Sequence, residues 1–369
     1  SFLHVTKSEI DLPESVDIHD ALVYAQAKKY ITAFIKRDVL FRESKDCYYI
    51  YQLIMHGRSQ TGLVCVSSVD DYENDIIKKH EFTRPEKELD RINHIKTSGA
   101  QTGNVFLAYR NNESLDTLIE NWKKTKSAVY DFVADDEIQH TIWVVNDTST
   151  IDNITAIFNN EIPCTYIADG HHRAASAAKV RAALGANATK NADYFLTTLF
   201  PSNQLYIMDY NRVVKDLNGL TNEAFIEAVS TKFDIEQLAK EPFSPSVLHE
   251  FGMYINGCWY QLTAKAGSFT EDPIGILDVT ILQNNILDAI LGISDPRTDA
   301  RVDFVGGIRG LQVLADRVDS GQFAAAFSLY AVTIDQLFAI ADSGNVMPPK
   351  STWFEPKLRD GLLTHLIYE

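Results

Sequence analysis

The run Tyr166-Ile167-Ala168-Asp169-Gly170-His171-His172-Arg173 sets a carboxylate, a glycine, two imidazoles and a guanidinium between an apolar segment and the alanine-rich stretch Ala174 to Ala186. An apolar run ending in Asp-Gly and followed by a helix describes a phosphate site, because the unpaired N–H groups and positive end of a helix point at whatever lies in the preceding turn. Asp169 either caps that helix or holds a metal or a substrate hydroxyl. Gly170 permits a positive φ or a close ligand approach. Adjacent His171 and His172 project ~100° apart on a helix, which argues against both binding one metal. A phosphate held by one histidine and by the planar fork of Arg173 suits the residue types better. The alternative is a capped helix with surface histidines.

A second cluster runs from His80 to His94. Thr83 followed by Glu86 reads as a capping box with Pro85 in the first turn, so a helix is expected to start there. On it Lys87, Arg91 and His94 share one face, and Arg84, Glu88 and Arg91 line a neighbouring edge. Spacing alone describes a solvated face laced with ion pairs.

The third cluster is Met347 to Lys357. Gly344 to Ser351 nearly imitates a Walker A loop, but Pro349 stands where the second glycine is required. Proline has no N–H to donate, so this is not a P-loop. Lys350, Ser351, Thr352 and Lys357 either line a nucleotide or anion pocket or belong to a surface loop anchored by Trp353 and Phe354. Asp295, Asp299 and Asp303 near Gly306-Gly307 suit an exposed turn or a magnesium ion beside substrate phosphates, and no metal ligand is assigned. GxSxG, HExxH and strand-borne GxGxxG patterns are absent from the sequence.

Asp169-Gly170-His171-His172-Arg173 resembles the DGxHR-type phosphate motif of the ParB/sulfiredoxin superfamily, which includes free-serine kinases that phosphorylate L-serine to O-phosphoserine. Tyr166 to Ala178, with Asp71-Tyr72-Glu73, His80 to Arg91 and Met347 to Lys357, resembles an uncharacterised prokaryotic family, domain-of-unknown-function family ten-fifteen, over nearly the whole chain. The resemblance implies that His80, Glu81, Arg84, Lys87 and Arg91 form a basic and carboxylate set facing the phosphate motif, with Glu81 the best candidate base. That family carries a further segment before its equivalent of Ser1-Phe2-Leu3-His4-Val5, so a piece preceding Ser1 is expected to be missing.

With 369 residues, 45% of them hydrophobic and 23% charged, the chain is large enough for two or three packed units. A net charge of −16 argues against nonspecific nucleic-acid binding, which needs a basic face to displace counterions. Any anionic ligand must therefore be caught by a local basic cluster. Apolar runs fall short of the ~20 residues of a membrane span, and no signal peptide is visible. Cys47, Cys65, Cys164 and Cys258 lack metal-ligand spacing, and a reducing cytoplasm is the expected home.

The elements that must position these groups alternate along the chain. A helix is expected over 17–36, with apolar positions at Ile18, Ala21, Leu22, Ala25, Tyr30, Ala33 and Phe34. Strands 48–55 and 61–67 read as a hairpin across Gly57-Arg58-Ser59-Gln60. Further strands are expected at 105–109, 128–133, 141–145, 163–168 and 194–200, with a helix at 114–126. After the segment Asp209 to Val214 come helix 222–232, a strand pair around Gly257, helix 279–291 and a turn at Asp303 to Gly307. The expected fold is α+β, a mixed sheet with flanking helices; the resemblance implies a ParB/sulfiredoxin-like core with additional α+β units. Three domains are expected: an α/β core at 1–202 carrying the phosphate motif, a small α+β insert at 203–275, and a C-terminal α+β unit at 276–369 that completes the site.

Two functions fit. One is nucleotide-dependent phosphoryl transfer to a small hydroxyl substrate, with free L-serine as the acceptor the resemblance implies, ATP or ADP as donor, Mg²⁺ as cofactor, and Asp169, Glu81 and His172 as catalytic groups. Gly170, His171, His172, Arg173, His80, Arg84, Lys87, Arg91, Lys350, Ser351 and Thr352 would then bind the phosphates and nucleotide. The other is a non-catalytic sensor of a nucleotide or phosphometabolite. Neither involves nucleic acid or a membrane.

Overall fold

The structure, a computed structural model, describes residues 1–238 and 241–368. They divide into two units, Ser1–Leu205 with Pro356–Glu369, and Tyr206–Glu355.

The first unit opens with the short helix α1 (Leu3–Thr6) and with α2 (Ala21–Lys36). The Asp20 carboxylate accepts the Leu22 N–H, so α2 starts four residues later than expected. Its packed positions are Val23, Tyr24, Ala27, Ile31 and Phe34, while Ile18 and Leu22 are exposed, a face rotated from the one expected. Strands β1 (Tyr48–Met55) and β2 (Arg58–Ser68) form a hairpin. Its turn is only His56-Gly57, at φ 51° and 78°. Two consecutive positive φ angles match the right-handed twist of a tight hairpin, so Arg58 to Gln60 join the strand instead of the loop.

There follow α3 (Val69–Glu73), β3 (Ile77–Lys78), α4 (Pro85–Ser98), β4 (Ala100–Gln101), β5 (Val105–Tyr109), α5 (Glu113–Thr125), β6 (Tyr130–Val133), β7 (Gln139–Val145) and α6 (Thr148–Glu161). Then come β8 (Thr165–Asp169), α7 (His171–Leu184) and β9 (Tyr194–Pro201). Eight strands form one sheet in the order β3-β8-β5-β9-β2-β1-β7-β6. The β3/β8 and β5/β9 pairs are parallel and the rest antiparallel, so the sheet is mixed, as expected. Its core joins Ile50, Leu63, Leu107, Ile167, Phe195 and Leu199 of the strands to Ala174, Ala177 and Ala178 of α7. The alanine run is thus a packing requirement, since small side chains let α7 lie close to the sheet that carries its first turn.

The second unit contains β10 (Ile207–Met208), β11 (Tyr210–Val214), α8 (Asn222–Ser230), β12 (Phe233–Gln237), β13 (Glu250–Ile255), β14 (Cys258–Ala264) and α9 (Asp278–Leu282). A π-helical turn at Gln283–Asp288 ends α9 well before residue 291. Next are β15 (Val302–Gly306), α10 (Gln312–Asp319), β16 (Ala325–Leu329), α11 (Ile334–Asp342) and β17 (Trp353–Phe354). Six of these strands form an antiparallel sheet, β12-β14-β13-β16-β11-β15. The ranges 203–275 and 276–369 therefore share one sheet where two domains were expected. The expected turn at Asp303 to Gly307 is mostly β15, zipped along β11 from Val214↔Val302 to Tyr210↔Gly306.

After β17 the chain returns to the first unit as a strap, residues 356–368, in which β18 (His365–Leu366) pairs with β4. Among the described residues no helix is long and apolar enough to cross a membrane.

Candidate functional site

Gly170, at φ 105°, is the N-cap of α7, and no side chain caps that helix. Asp169 ends β8, and its carboxylate turns to Lys357 Nζ at 3.0 Å and Arg173 Nη2 at 3.6 Å. The capping alternative for Asp169 is thereby set aside. Burial pushes its carboxyl up, but Arg173 and Lys357 outweigh that and hold it below the usual carboxylate range, so Asp169 is ionised. A Cβ on Gly170 would sit 2.8 Å from Arg173 Nε and 2.9 Å from its Nη2, which means the guanidinium lies across the bare glycine. Arg173 and Ala174 donate their N–H groups to the Gly170 carbonyl. His171 and His172, in the first turn, have no carbonyl within the helix to take theirs.

The two histidines divide the labour. His171 is buried; its Nε2 accepts the His80 N–H at 3.4 Å and its Nδ1 lies 3.4 Å from Glu81 Oε2. Burial, with His80, His172 and Arg173 adding to it, pushes His171 well below its ordinary value. It is therefore neutral, with the proton on Nδ1 facing Glu81 and the lone pair of Nε2 facing His80. The His80 ring stands edge-on to it at 4.5 Å and is itself held down to about 4 by burial. His172 Nε2 accepts the Arg84 N–H at 3.0 Å, and burial followed by Lys87 lowers its pKa. Both rings staple the loop 80–84 to the start of α7, which leaves His172 Nδ1–H as the donor not used in that staple.

Helix α4 begins at Pro85 with Arg84 as N-cap and without a side-chain cap. The expected Thr83–Glu86 capping box does not form: the N-cap is Arg84, one residue later, and the Thr83 hydroxyl bonds Glu88 instead. Glu88 is buried and ion-paired with Lys179. Ser176 Oγ reaches the carbonyls of His172 at 2.6 Å and Glu88 at 3.3 Å. Arg84 thus lies against His172, and Glu88 against Ser176 and Lys179, so α4 and α7 run side by side with their N-terminal ends together. The positive ends of two helix dipoles converge there. Arg84, Lys87 and Arg91 are exposed, and all three act electrostatically on His172.

The strap adds groups from far along the chain. Lys357 reaches Asp169 as above. Arg359 forms an ion pair with Asp136 and donates from Nε to His140 Nε2 at 3.3 Å, and His140 Nδ1 meets the Tyr51 hydroxyl at 2.8 Å. Asp360, which the sequence reasoning missed, lines a small cleft of about 70 Å³ with Arg91, Thr102, Gly103 and Arg173. Only the turn-prone pair Asp360-Gly361 marks it in the sequence, and nothing in that pair points to Arg173.

Lys350, Ser351 and Thr352 belong to the second unit. Ser351 is buried and its hydroxyl donates to the Pro348 carbonyl at 2.6 Å, while the Lys350 carbonyl accepts from Arg212 at 2.9 Å. This is a loop folded on its own polar groups. Asp295, Asp299 and Asp303 pair with Arg297, Arg301 and Arg317, which favours the exposed-turn alternative for that segment. Among the described residues no group of three His, Cys, Asp or Glu side chains stands together as a metal site.

A mixed sheet that feeds a glycine-capped helix beside a second helix N-terminus defines an α+β protein. The chain belongs to the family described as "Protein of unknown function (DUF1015)", whose profile matches residues 1–280. Among curated proteins the sequence has no match. Solved structures similar to this chain include a free serine kinase in complex with AMP, at 14% identity and a TM-score of 0.39 over 80% of this chain and 90% of that one. A conserved hypothetical protein from Pyrococcus furiosus aligns at 13% identity and a TM-score of 0.36 over 80% and 94%. SbnI from Staphylococcus aureus, truncated at its C-terminus, aligns at 12% identity and a TM-score of 0.39 over 80% and 84%.

Proposed function

We propose that the first unit binds a nucleotide through its phosphates and transfers a phosphoryl group to a small hydroxyl substrate. The observation that carries this reading is that two helix N-termini lie together, with Arg173 across a bare Gly170, Lys357 on Asp169, and Arg84, Lys87 and Arg91 acting on His172, in a chain whose net charge is −16. Such a set holds a polyphosphate and spreads the charge that develops on the transferred group, which is most of what catalysis of this reaction requires. Arg84 and Lys87 grip the phosphates that stay on the nucleotide, and Arg91, the N–H groups of His171 and His172, the His172 ring and Arg173 hold the group in transfer. Glu81, fixed by His171, and the ionised Asp169 frame the turn.

Asp169 already has two cationic neighbours, so its surroundings do not fit a protein-held Mg²⁺. ATP and ADP suit the site equally as donors. A non-catalytic sensor is favoured by one observation, the neutralisation of Asp169 by Lys357 and Arg173. Incubating the protein with ATP or ADP, Mg²⁺ and a panel of amino acids and polyols, followed by phosphorus NMR, separates the two. A new phosphomonoester signal is expected, and nucleotide binding without turnover would establish the sensor instead. Arg173→Ala is expected to weaken nucleotide binding by roughly 2 kcal/mol, the scale of a lost charge-assisted bond, measured by calorimetric titration.

Phe82 supplies a further check. It is 74% exposed, in the loop whose His80 and Arg84 amides are stapled to α7, so an aromatic face stands beside the phosphate turn. Stacking a base on an aromatic ring contributes about 1–3 kcal/mol. Phe82→Ala should weaken ATP binding about tenfold while leaving tripolyphosphate binding unchanged. Equal losses for both ligands would exclude base stacking.

A further inference from the structure

Arg173 separates two spaces. On one side its guanidinium lies over Gly170 and pairs with Asp169. On the other its aliphatic stem passes bare Gly103, where a Cβ would meet Arg173 Cδ at 3.2 Å and Asp360 Oδ1 at 3.5 Å. Asp360 and Arg173 therefore flank one stretch of half-buried backbone in the wall of the cleft. Arg173 Nε is buried without a hydrogen-bond partner, an uncompensated donor of the kind that a bound ligand satisfies. The cleft, at about 70 Å³, is too small for a nucleotide. It holds roughly two waters' share of liquid volume, enough for a hydroxyl-bearing carbon.

Resting on the phosphoryl-transfer reading above, we propose that Asp360 is the general base of the reaction and that the cleft between Arg91, Gly103 and Arg173 admits the hydroxyl end of the acceptor. The acceptor oxygen attacks the terminal phosphorus of the nucleotide held at the Gly170 turn, and its proton passes to the Asp360 carboxylate. The bond from phosphorus to the bridging oxygen breaks with its electron pair remaining on the departing nucleotide, and the proton then leaves Asp360 for solvent. Arg173 touches both spaces and so sets the distance between donor and acceptor. Arg359, clamped to Asp136 and His140 on the far side of the strap, fixes the register that brings Asp360 to the cleft. Asp360 is exposed at the surface, and partial desolvation of its carboxyl by the cleft pushes it up against the pull of Arg173 and Arg91. Its charged and titratable neighbours here are Arg91 and His94 of α4 and Arg173 of α7.

The test compares the full-length protein with Asp360→Asn and Asp360→Glu. Phosphoryl transfer is followed by phosphorus NMR against pH and ATP affinity by calorimetry. Asp360→Asn is expected to lower kcat by about 100-fold or more, the scale of lost general-base catalysis, with ATP affinity unchanged and the acidic limb of the pH profile gone. Asp360→Glu should restore part of the rate and the limb. Transfer by Asp360→Asn at the wild-type rate, or an unchanged acidic limb, overturns the role of Asp360 and leaves the phosphoryl-transfer reading standing. A wild-type protein that binds ATP but transfers to no acceptor overturns both.

Discussion

Gly170→Ala is expected to weaken nucleotide binding about 30-fold, the loss of roughly 2 kcal/mol, while the protein still folds. Its φ of 105° lies where a side chain is strained, at a cost of order 1–3 kcal/mol. The added methyl also claims space within 2.8–2.9 Å of the Arg173 guanidinium, which must move. Moving it breaks the pairing with Asp169 and removes the residue that faces both the phosphate turn and the cleft. Losing one charge-assisted contact of roughly 2 kcal/mol predicts about a 30-fold weaker ATP affinity, readable by calorimetric titration beside a thermal melt. A variant that binds ATP normally, with Arg173 unmoved in its crystal structure, would show that the glycine serves only the turn.

Acidification is expected to act on the two units in opposite directions. His80 and His140 are buried in the first unit and held down to about 4 against an ordinary 6.5, in both cases by burial, with Arg359 adding to the effect on His140. Between those values the unfolded chain binds protons that the native unit refuses. Stability is therefore fully present above pH 6.5 and is lost as pH falls toward 4, on the order of 3 kcal/mol per histidine. Asp278 of the second unit, buried with one carboxylate oxygen unpartnered, is pushed up to about 7. There the native state binds the extra proton, so acidification from pH 7 toward 4 stabilises that unit. Hydrogen exchange followed by mass spectrometry at pH 7 and 4.5, corrected for the intrinsic rate, should show protection falling in the first unit and rising around Asp278. Protection that falls in step across both units would refute this account.

The parts of the fold written in local pattern were legible. Apolar β-prone runs at 105–109 and 194–200, and the strand, turn and helix around Asp169-Gly170, match β5, β9, β8 and α7 to within a few residues. What local pattern could not supply was choice among partners. The Thr83–Glu86 signature was a sound capping box until the Thr83 hydroxyl found Glu88 and the helix took Arg84 as its N-cap. Asp303 to Gly307 read as a turn because Asp303, Gly306 and Gly307 outvoted a strand that exists only through pairing with β11. At the candidate site, the residue types of Asp169 to Arg173 announced an anion, yet the sequence could not tell that the Nε2 atoms of His171 and His172 would hold the loop 80–84. Asp360 was invisible for a simpler reason: it meets Arg173 across 187 positions of chain, and no periodicity spans that distance.

The strap also bears on when the site can exist. The first unit is interrupted by Tyr206–Glu355, and Lys357, Arg359 and Asp360 follow that interruption. During synthesis, β8, α7 and α4 emerge early, but their partners from the strap cannot arrive until the entire second unit has been made. A nascent chain stalled within that unit would present the basic turn without Lys357 to balance Asp169, and without Asp360 at the cleft. Competence for the proposed reaction in this sense waits on synthesis of the second unit.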